Sequence, residues 1–499
     1  MLLQMESMTK SYGSVTANRN VDFNLRRGEI HALVGENGAG KTTLMRMLYG
    51  METPTSGRIV VNGKAVAFHN PTDAMKCGIG MVHQHFMLFP SFTIAENIVI
   101  GRERVKGIAF DRKAAAEETE KLSRQYGMPV DPGMKVGECS LGMQQRVEIL
   151  KVLHQGAEII ILDEPTGVLT PLEVKELLIS IKRLAAQGKS FILITHKLGE
   201  IMEVADRITV LRDGEVTGVL NAEETDEEQL SRLMVGRELV QLSRGAANRG
   251  NPVLEVSSLS VRGSKTKPLL DNVSFEVHEG EIVGIAGISG NGQSELLQAI
   301  SGLLKPDAGT VRLLERDVTG APVSIVREGG LAHIPEDRYL WGVSKEASVL
   351  DNGLMGHTGK HQKLGVLQGG RIRKLVAGWV DKFRIKTGSV HTKAQYLSGG
   401  NLQKLIVARE LAQETPFLIA AEPTRGVDVG AMEIIHGELL ARRDKRGAIL
   451  LVSSELTEVL KLSDRILVMY EGRIVGEMMA GTATEERISL LMAGGKAVG

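Results

Sequence analysis

The chain repeats itself, and that repetition constrains its fold more than any other feature. Arg27-Gly-Glu-Ile-His-Ala-Leu-Val-Gly35 returns as Glu279-Gly-Glu-Ile-Val-Gly-Ile-Ala-Gly287, and Pro54-Thr-Ser-Gly57 as Pro306-Asp-Ala-Gly309, both displaced by 252 residues. Further on, Ser140 and Ser398, Glu164-Pro-Thr and Glu422-Pro-Thr, Ala205-Asp-Arg-Ile and Ser463-Asp-Arg-Ile, and Met234 and Met492 stand 258 residues apart, so six residues have entered the middle of the second copy. Solenoid repeats run roughly 20–50 residues, so a period this long means two complete domains. The sequence places the first at residues 1–240 and the second at 253–499, joined by a short polar linker, 241–252, rich in Gly and Asn.

Within each copy, short apolar runs alternate with charged amphipathic stretches: Ile30 to Val34, Thr42 to Tyr49, Ile159 to Leu162, Leu172 to Ala186, Phe191 to Thr195. That alternation predicts a mostly parallel, helix-covered α/β sheet, whose ligand sites lie at the carboxyl ends of the strands. Composition narrows the function. Sixty basic and sixty acidic side chains balance, which argues against a globally polyanion-binding surface. Two cysteines make neither a disulfide framework nor a four-cysteine zinc site, and a reducing cytoplasmic setting is expected. Every apolar run falls well below the roughly 18 residues of a membrane-spanning helix, and the amino-terminal residues do not read as a secretory signal.

Gly35-Glu36-Asn37-Gly38-Ala39-Gly40-Lys41-Thr42 follows an apolar strand and opens a helix, the context in which G-x-x-x-x-G-K-[ST] cradles phosphate. Glycines let backbone N–H groups face the phosphates, the helix amino terminus adds positive potential, Lys41 reaches the β- and γ-phosphates, and Thr42 offers a hydroxyl to Mg²⁺. Ile159-Ile-Ile-Leu-Asp163-Glu164 is a buried strand ending in two carboxylates. Side chains alternate along a strand, so the two acids are expected to point apart and hold separate roles: Asp163 on Mg²⁺ through water, Glu164 on the attacking water.

With these residues on the page, both copies resemble the ATP-binding domain of ABC transporters over essentially the whole chain. The resemblance implies an α/β fold in which two P-loop domains each combine a mostly parallel sheet core, an antiparallel β subdomain and a helical subdomain. It implies an ATPase with ATP and Mg²⁺ as cofactors. It assigns Tyr12 to stacking on adenine, Thr43 to the phosphate loop, Gln84 to the loop that meets the metal and the attacking water, and His196 to the γ-phosphate. The catalytic set is then Lys41, Gln84, Glu164 and His196, and the metal set Thr42, Gln84 and Asp163.

The copies depart from the family pattern in opposite ways. In the second, Gln293 stands for Lys41, Ala421 for Asp163, Ser454 for His196 and Glu336 for Gln84. In the first, Cys139-Ser-Leu-Gly-Met-Gln-Gln-Arg146 has Leu141 and Met143 where the second copy has Gly399 and Asn401 in Leu397-Ser-Gly-Gly-Asn-Leu-Gln-Lys404, and Thr170 where the second has Asp428. In the family such domains dimerise head to tail, each ATP lying between one P-loop and the other domain's signature. The resemblance therefore implies one competent composite site, built from the first P-loop and from Ser398, Gly399, Gly400, Asn401 and Asp428.

Tandem chains of this kind resemble the importers of simple sugars and nucleosides. Pro335-Glu-Asp-Arg338 and Glu422-Pro-Thr-Arg-Gly-Val-Asp428 support that, and Met81 to Pro90 with Ser140 to Arg146 look most like the nucleoside-uptake branch. The implied partners are two integral-membrane permease subunits and, indirectly, an extracytoplasmic solute-binding protein, with no nucleic acid; the implied location is the cytoplasmic face of the membrane. Phe86 to Phe92 is a candidate groove for a permease helix, or ordinary core. A soluble tandem ABC ATPase acting on ribosomes is the alternative; such proteins usually carry a long charged linker and two intact sites. Zinc-bearing DNA-repair relatives are excluded because Cys77 and Cys139 form no C-x-x-C.

Overall fold

The computed structural model describes all residues except 14, 85, 107–108, 168, 170, 196, 238–243, 246, 264–266, 289, 493 and 496–499. The chain divides into two compact units, Met1–Leu239 and Val240–Gly499.

In the first unit a six-stranded sheet runs in the order Glu215–Asn221, Arg207–Arg212, Ile30–Gly35, Ser190–Ile194, Ile159–Asp163, Ile79–Val82. All neighbours pair in parallel except Glu215–Asn221, which turns back antiparallel on Arg207–Arg212. The three strands at its centre are buried at every residue, as expected for a parallel sheet covered on both faces. Register sets the site: Ile194 pairs with both Leu33 and Asp163, and Leu162 with Val82, so four strands end at one edge. Beside this sheet lies an antiparallel one, ordered Val15–Leu25, Leu3–Tyr12, Ser56–Val61, Lys64–Val66. The helical part comprises Ile94–Val99, Arg112–Tyr126 and Leu141–His154.

The second unit repeats this plan. Its larger sheet is ordered Leu331–Ile334, Phe417–Ala421, Ala448–Val452, Ile282–Ala286, Arg465–Tyr470, Arg473–Met479, and its smaller one Leu270–His278, Pro252–Val261, Ala308–Leu313, Arg316–Asp317. Val349–Leu354, Gly369–Lys382 and Gly399–Leu411 form the helical part. Arg371, Arg373 and Lys374 lie on the solvent side of Gly369–Lys382, whose buried face carries Ile372, Val376 and Trp379.

The six additional residues enter in two steps, which a matched pair of buried asparagines reveals. Asn97 accepts a hydrogen bond from the Phe89 N–H at 2.8 Å and donates to the carbonyls of Phe89 and Thr93 at 3.1 and 3.0 Å. Asn352 does the same for Ser344 and Ser348, at 2.8, 2.9 and 3.0 Å. Both follow capping boxes, Thr93 with Glu96 and Ser348 with Asp351. These landmarks are 255 residues apart. Three residues were therefore added between Gln84/Glu336 and Phe89/Ser344, where the second unit builds a π-helical turn over Arg338–Gly342, and three more before the signature helix.

Because each carboxamide is buried and satisfies three or more backbone groups, Asn352→Ala should lower the stability of the second unit by roughly 2–4 kcal/mol, and Asn97→Ala that of the first similarly. Urea unfolding of each variant checks this; a loss below about 0.5 kcal/mol would show that the bracket does not hold the loop.

Candidate nucleotide site

The loop between Ile30–Gly35 and the helix Lys41–Leu48 can be built only with glycine at its end. Gly40 has φ 98°, and a Cβ there would sit 2.4 Å from the Ala17 carbonyl oxygen and 2.5 Å from Asn18 Nδ2. Gly38, at φ 85°, instead faces open space. The Lys41 ammonium is buried, donating to the carbonyls of Gly35 at 2.7 Å and Glu36 at 3.0 Å. Burial pulls its pKa down, while Glu164, Asp163 and Glu36 oppose that shift. Ala39 is buried, Glu36, Thr42 and Thr43 are half-buried, and Asn37 is exposed.

Asp163 closes its strand as a buried residue, and burial, reinforced by Glu164, pushes its carboxyl up to about 6 against the pull of Lys41 and Arg46. The two acids differ in backbone conformation. The strand ends at Asp163, and Glu164 turns off it in the left-handed region at φ 47°, its N–H donating to the Ile194 carbonyl at 2.8 Å. Gln84 Nε2 donates to the Glu164 carboxylate at 2.8 Å, joining two of the predicted residues. Thr42, Gln84 and Asp163 offer oxygen donors only, a set that fits a small hard divalent cation. Tyr12 is 47 % exposed with the Lys10 ammonium 5.0 Å from its ring centre; partial burial and a bond to Glu52 raise its hydroxyl pKa. His196 and Thr170 lie outside the described residues.

The second unit keeps the loop and changes its chemistry. Gln293 is buried like Lys41, but its amide donates to the Ile288 carbonyl at 3.2 Å and brings no charge. Ala421 is buried where Asp163 was, and the Ser294 hydroxyl donates to Glu336 at 2.6 Å. Glu422 has the same φ of 47° as Glu164, but the Ser454 N–H and hydroxyl donate to it at 2.6 and 3.0 Å. Burial drives its carboxyl up to about 7 in spite of those bonds.

The second unit's signature carries a polar network anchored on buried Asn401 and Lys404. Ser398 caps Gly399–Leu411, accepting from the Asn401 N–H at 3.4 Å and the Asn401 amide at 2.8 Å, while Asn401 Oδ1 accepts from the Lys386 N–H at 2.9 Å. Asp428 caps Val429–Asp444 through the Ala431 N–H at 2.8 Å and pairs with buried Lys404. A Cβ on Gly400 would lie 2.5 Å from the Gly426 carbonyl oxygen. Asn401 and Asp428 thus spend these polar atoms on holding their own unit. Lys404 and Arg338 are residues to which sequence reading gave no role of their own; an ammonium at the sixth position of the signature helix is visible in the sequence, its partner is not.

In the first unit Leu141 and Gln144 join Gln84, Phe86 and Leu88 around a cleft of 340 Å³. Phe86 to Phe92 is largely surface: Met87, Phe89 and Phe92 are exposed, and the Phe89 and Phe92 rings stack 5.2 Å apart.

The model of the family described as ABC transporter matches residues 18–167 and again 270–425. The chain belongs to the ABC transporter family. It carries that family's ATP-binding domain twice and is an ATPase of this family. It is 44% identical to the guanosine import ATP-binding protein NupO of Bacillus subtilis, over 99% of this chain and 97% of that protein. Identity is also 44% to the nucleoside import ATP-binding protein NupA of Lactococcus lactis subsp. cremoris, over 99% and 98%. To the ribose import ATP-binding protein RbsA of Bacillus subtilis it is 38%, over 99% and 100%. A solved archaeal ribosome recycling factor, in complex with the archaeal ribosomal stalk protein, shares the fold at 18% identity with TM-score 0.64, covering 95% of this chain and 90% of that one.

A carboxyl raised from 4.5 to about 7 keeps its proton in the folded unit after the unfolded chain has released it, so Glu422 makes stability fall as pH rises through that window. Glu422→Gln removes this slope, and its stability relative to the parent should rise by on the order of 1–3 kcal/mol between pH 5 and pH 8. Chemical denaturation at the two pH values measures it; a pH-independent difference would refute the assignment.

Proposed function

We propose that this chain is the ATP-hydrolysing, energy-coupling subunit of an importer for nucleosides or simple sugars, with one competent ATP site per chain. One observation carries the single-site reading. The first unit has a charged Lys41 and the Asp163, Glu164, Gln84 set at one sheet edge, whereas the second has a neutral Gln293, Ala421, and a Glu422 tied to Ser454. Only the second unit, in turn, has glycine at both signature positions.

In this reading adenine stacks on Tyr12 and the phosphates lie on Gly35 to Thr43, with Lys41 on the β- and γ-phosphates. Mg²⁺, held by Thr42, Gln84 and through water by Asp163, supplies charge neutralisation of the phosphate oxygens. Glu164 accepts the proton of the water that attacks the γ-phosphorus as the bond to the ADP oxygen breaks; Gln84 holds that carboxylate, and His196 meets the γ-phosphate. Ser398 and the N–H groups of Gly399 and Gly400 close the site from the signature side, with Asn401 and Asp428 bracing them. Domain limits of 1–240, a linker at 241–252, and 253–499 belong to the same proposal.

Nucleosides are the favoured cargo because the two relatives named at 44% identity are nucleoside importers. Two integral-membrane permeases would seat short helices on the chain from the cytoplasmic face, and a solute-binding protein would act from the other side. Exposed Met87, Phe89 and Phe92 beside Gln84 support a seat in the first unit. Among the described residues no helix is long and apolar enough to cross a membrane.

Lys41→Ala and Glu164→Gln should each reduce ATP turnover by about 100-fold or more, while Gln293→Ala and Gly142→Ala should stay within about 2-fold. A Cβ at Gly142 would meet only the movable end of Glu173, but one at Gly400 would displace a backbone carbonyl, so Gly400→Asp would damage the fold as well as the site. Equal losses at Gln293 and Lys41 would sink the one-site reading. Purification of the chain from detergent-solubilised membranes should recover two hydrophobic permeases; recovery of ribosomes would promote the alternative.

A further inference from the structure

The two signature helices start under opposite charges. In the first unit the Ser140 hydroxyl donates to Glu173 at 3.4 Å, and a Cβ on Gly142 would lie 2.2 Å from the same carboxylate, so an acid covers the amino terminus of Leu141–His154. The second unit has Ala431 at the position of Glu173. There the Arg338 guanidinium lies one position earlier in the signature: a Cβ on Gly399, the counterpart of Leu141, would be 2.9 Å from its Nη2 and 3.1 Å from its Cζ, and one on Gly426 3.2 Å from its Nη1. Arg338 Nη1 also donates to the Arg425 carbonyl at 3.0 Å, tying the signature to the segment that leads into Asp428. The Tyr339 ring supports this arrangement, with Arg338 5.5 Å and Lys345 5.0 Å from its centre. Arg338 opens the π-helical turn Arg338–Gly342, in the stretch where three residues were added to the second copy.

A helix amino terminus favours an anion, a carboxylate set on it competes with a phosphate, and a guanidinium set beside it adds to the attraction. We propose that Arg338 is a positioning residue of the hydrolytic half-site: it holds Gly399 and the Arg425–Gly426 segment in register and gives the signature helix the cationic end that a γ-phosphate requires. This rests on the composite-site reading above. Gly399 is not in the left-handed region, so its backbone does not demand glycine; a Cβ there would instead crowd the guanidinium out of the position it holds.

The test is ATP turnover of the purified full-length chain in a charge series at position 338, with kcat and KM separated. Arg338→Lys should retain most of kcat, Arg338→Ala should lose about 10-fold, and Arg338→Glu, which copies the acid of the first unit, should lose about 100-fold or more. Ala431→Glu should also slow turnover, although it leaves Arg338 in place. Binding of a fluorescent ATP analogue to the first unit's P-loop should be unchanged by Arg338→Ala. A purely structural role would make Lys, Ala and Glu equally harmful, and that result, or an unchanged kcat in Arg338→Ala, overturns the proposal. Ser398→Ala separates the two failures: if it too leaves turnover intact, the composite-site reading itself has failed, whereas loss in Ser398→Ala with none in Arg338→Ala rejects Arg338 alone.

Discussion

A buried ammonium organises the first unit. Lys41 has left water for a pocket closed by the Gly35 and Glu36 carbonyls, and such a charge is tolerated only where oxygen dipoles and counter-charges surround it. The surroundings follow from register. Because the strands that end at Gly35, Val82, Asp163 and Ile194 stop at one edge, the carboxylates of Asp163 and Glu164 arrive beside the lysine without any long loop to carry them. Those acids in turn suffer from each other and from burial, which is why Asp163 is raised to about 6. The edge thus holds one buried cation against carboxylates whose charge burial disfavours, a balance set by the register of four strands.

The second unit is what remains when that tension is removed and the backbone kept. Gln293 fills the place of Lys41 and bonds to a loop carbonyl, as an amide can without a counter-ion. With no ammonium to neutralise, the buried carboxylate at the strand end is superfluous, and Ala421 replaces it. Glu422 persists in its left-handed turn, satisfied by Ser454 and raised to about 7. Each substitution lowers the charge a fold must bury. Together they fit the loss of a chemical task better than an accumulation of unrelated changes.

Much of this was legible in the sequence because periodicity and motif order survive translation into structure. The duplication, the alternation of strands and helices, the P-loop and the two terminal acids were all readable, and they fix the sheet edge. What was not legible depends on contacts between distant segments. Strand alternation was read across both acids, but the strand ends at Asp163 and Glu164 stands in a turn, whose φ of 47° no composition reveals. Asn401 and Asp428 read as nucleotide contacts by their motifs, yet they are also a serine brace and a helix cap paired to Lys404, 24 residues earlier. The six-residue offset could be counted from the sequence, but only the matched asparagines, Asn97 and Asn352, divide it into two insertions and locate the first at the Arg338 turn.

That location bears on why two glycines in one motif are not equivalent. Gly400 faces the carbonyl of Gly426, and backbone cannot step aside, so its requirement is set by the chain path and would hold whatever the site did. Gly399 faces a guanidinium, a side chain that another sequence need not carry there. In the first unit that guanidinium is missing and Leu141 occupies the Gly399 position, lining a cleft with Phe86, while Gly142 keeps the place of Gly400. The first signature has therefore lost the glycine beside which the second unit holds a guanidinium, whereas Gly142 lies under the Glu173 carboxylate, a side chain that can step aside, so the chain path does not set its requirement as it sets that of Gly400.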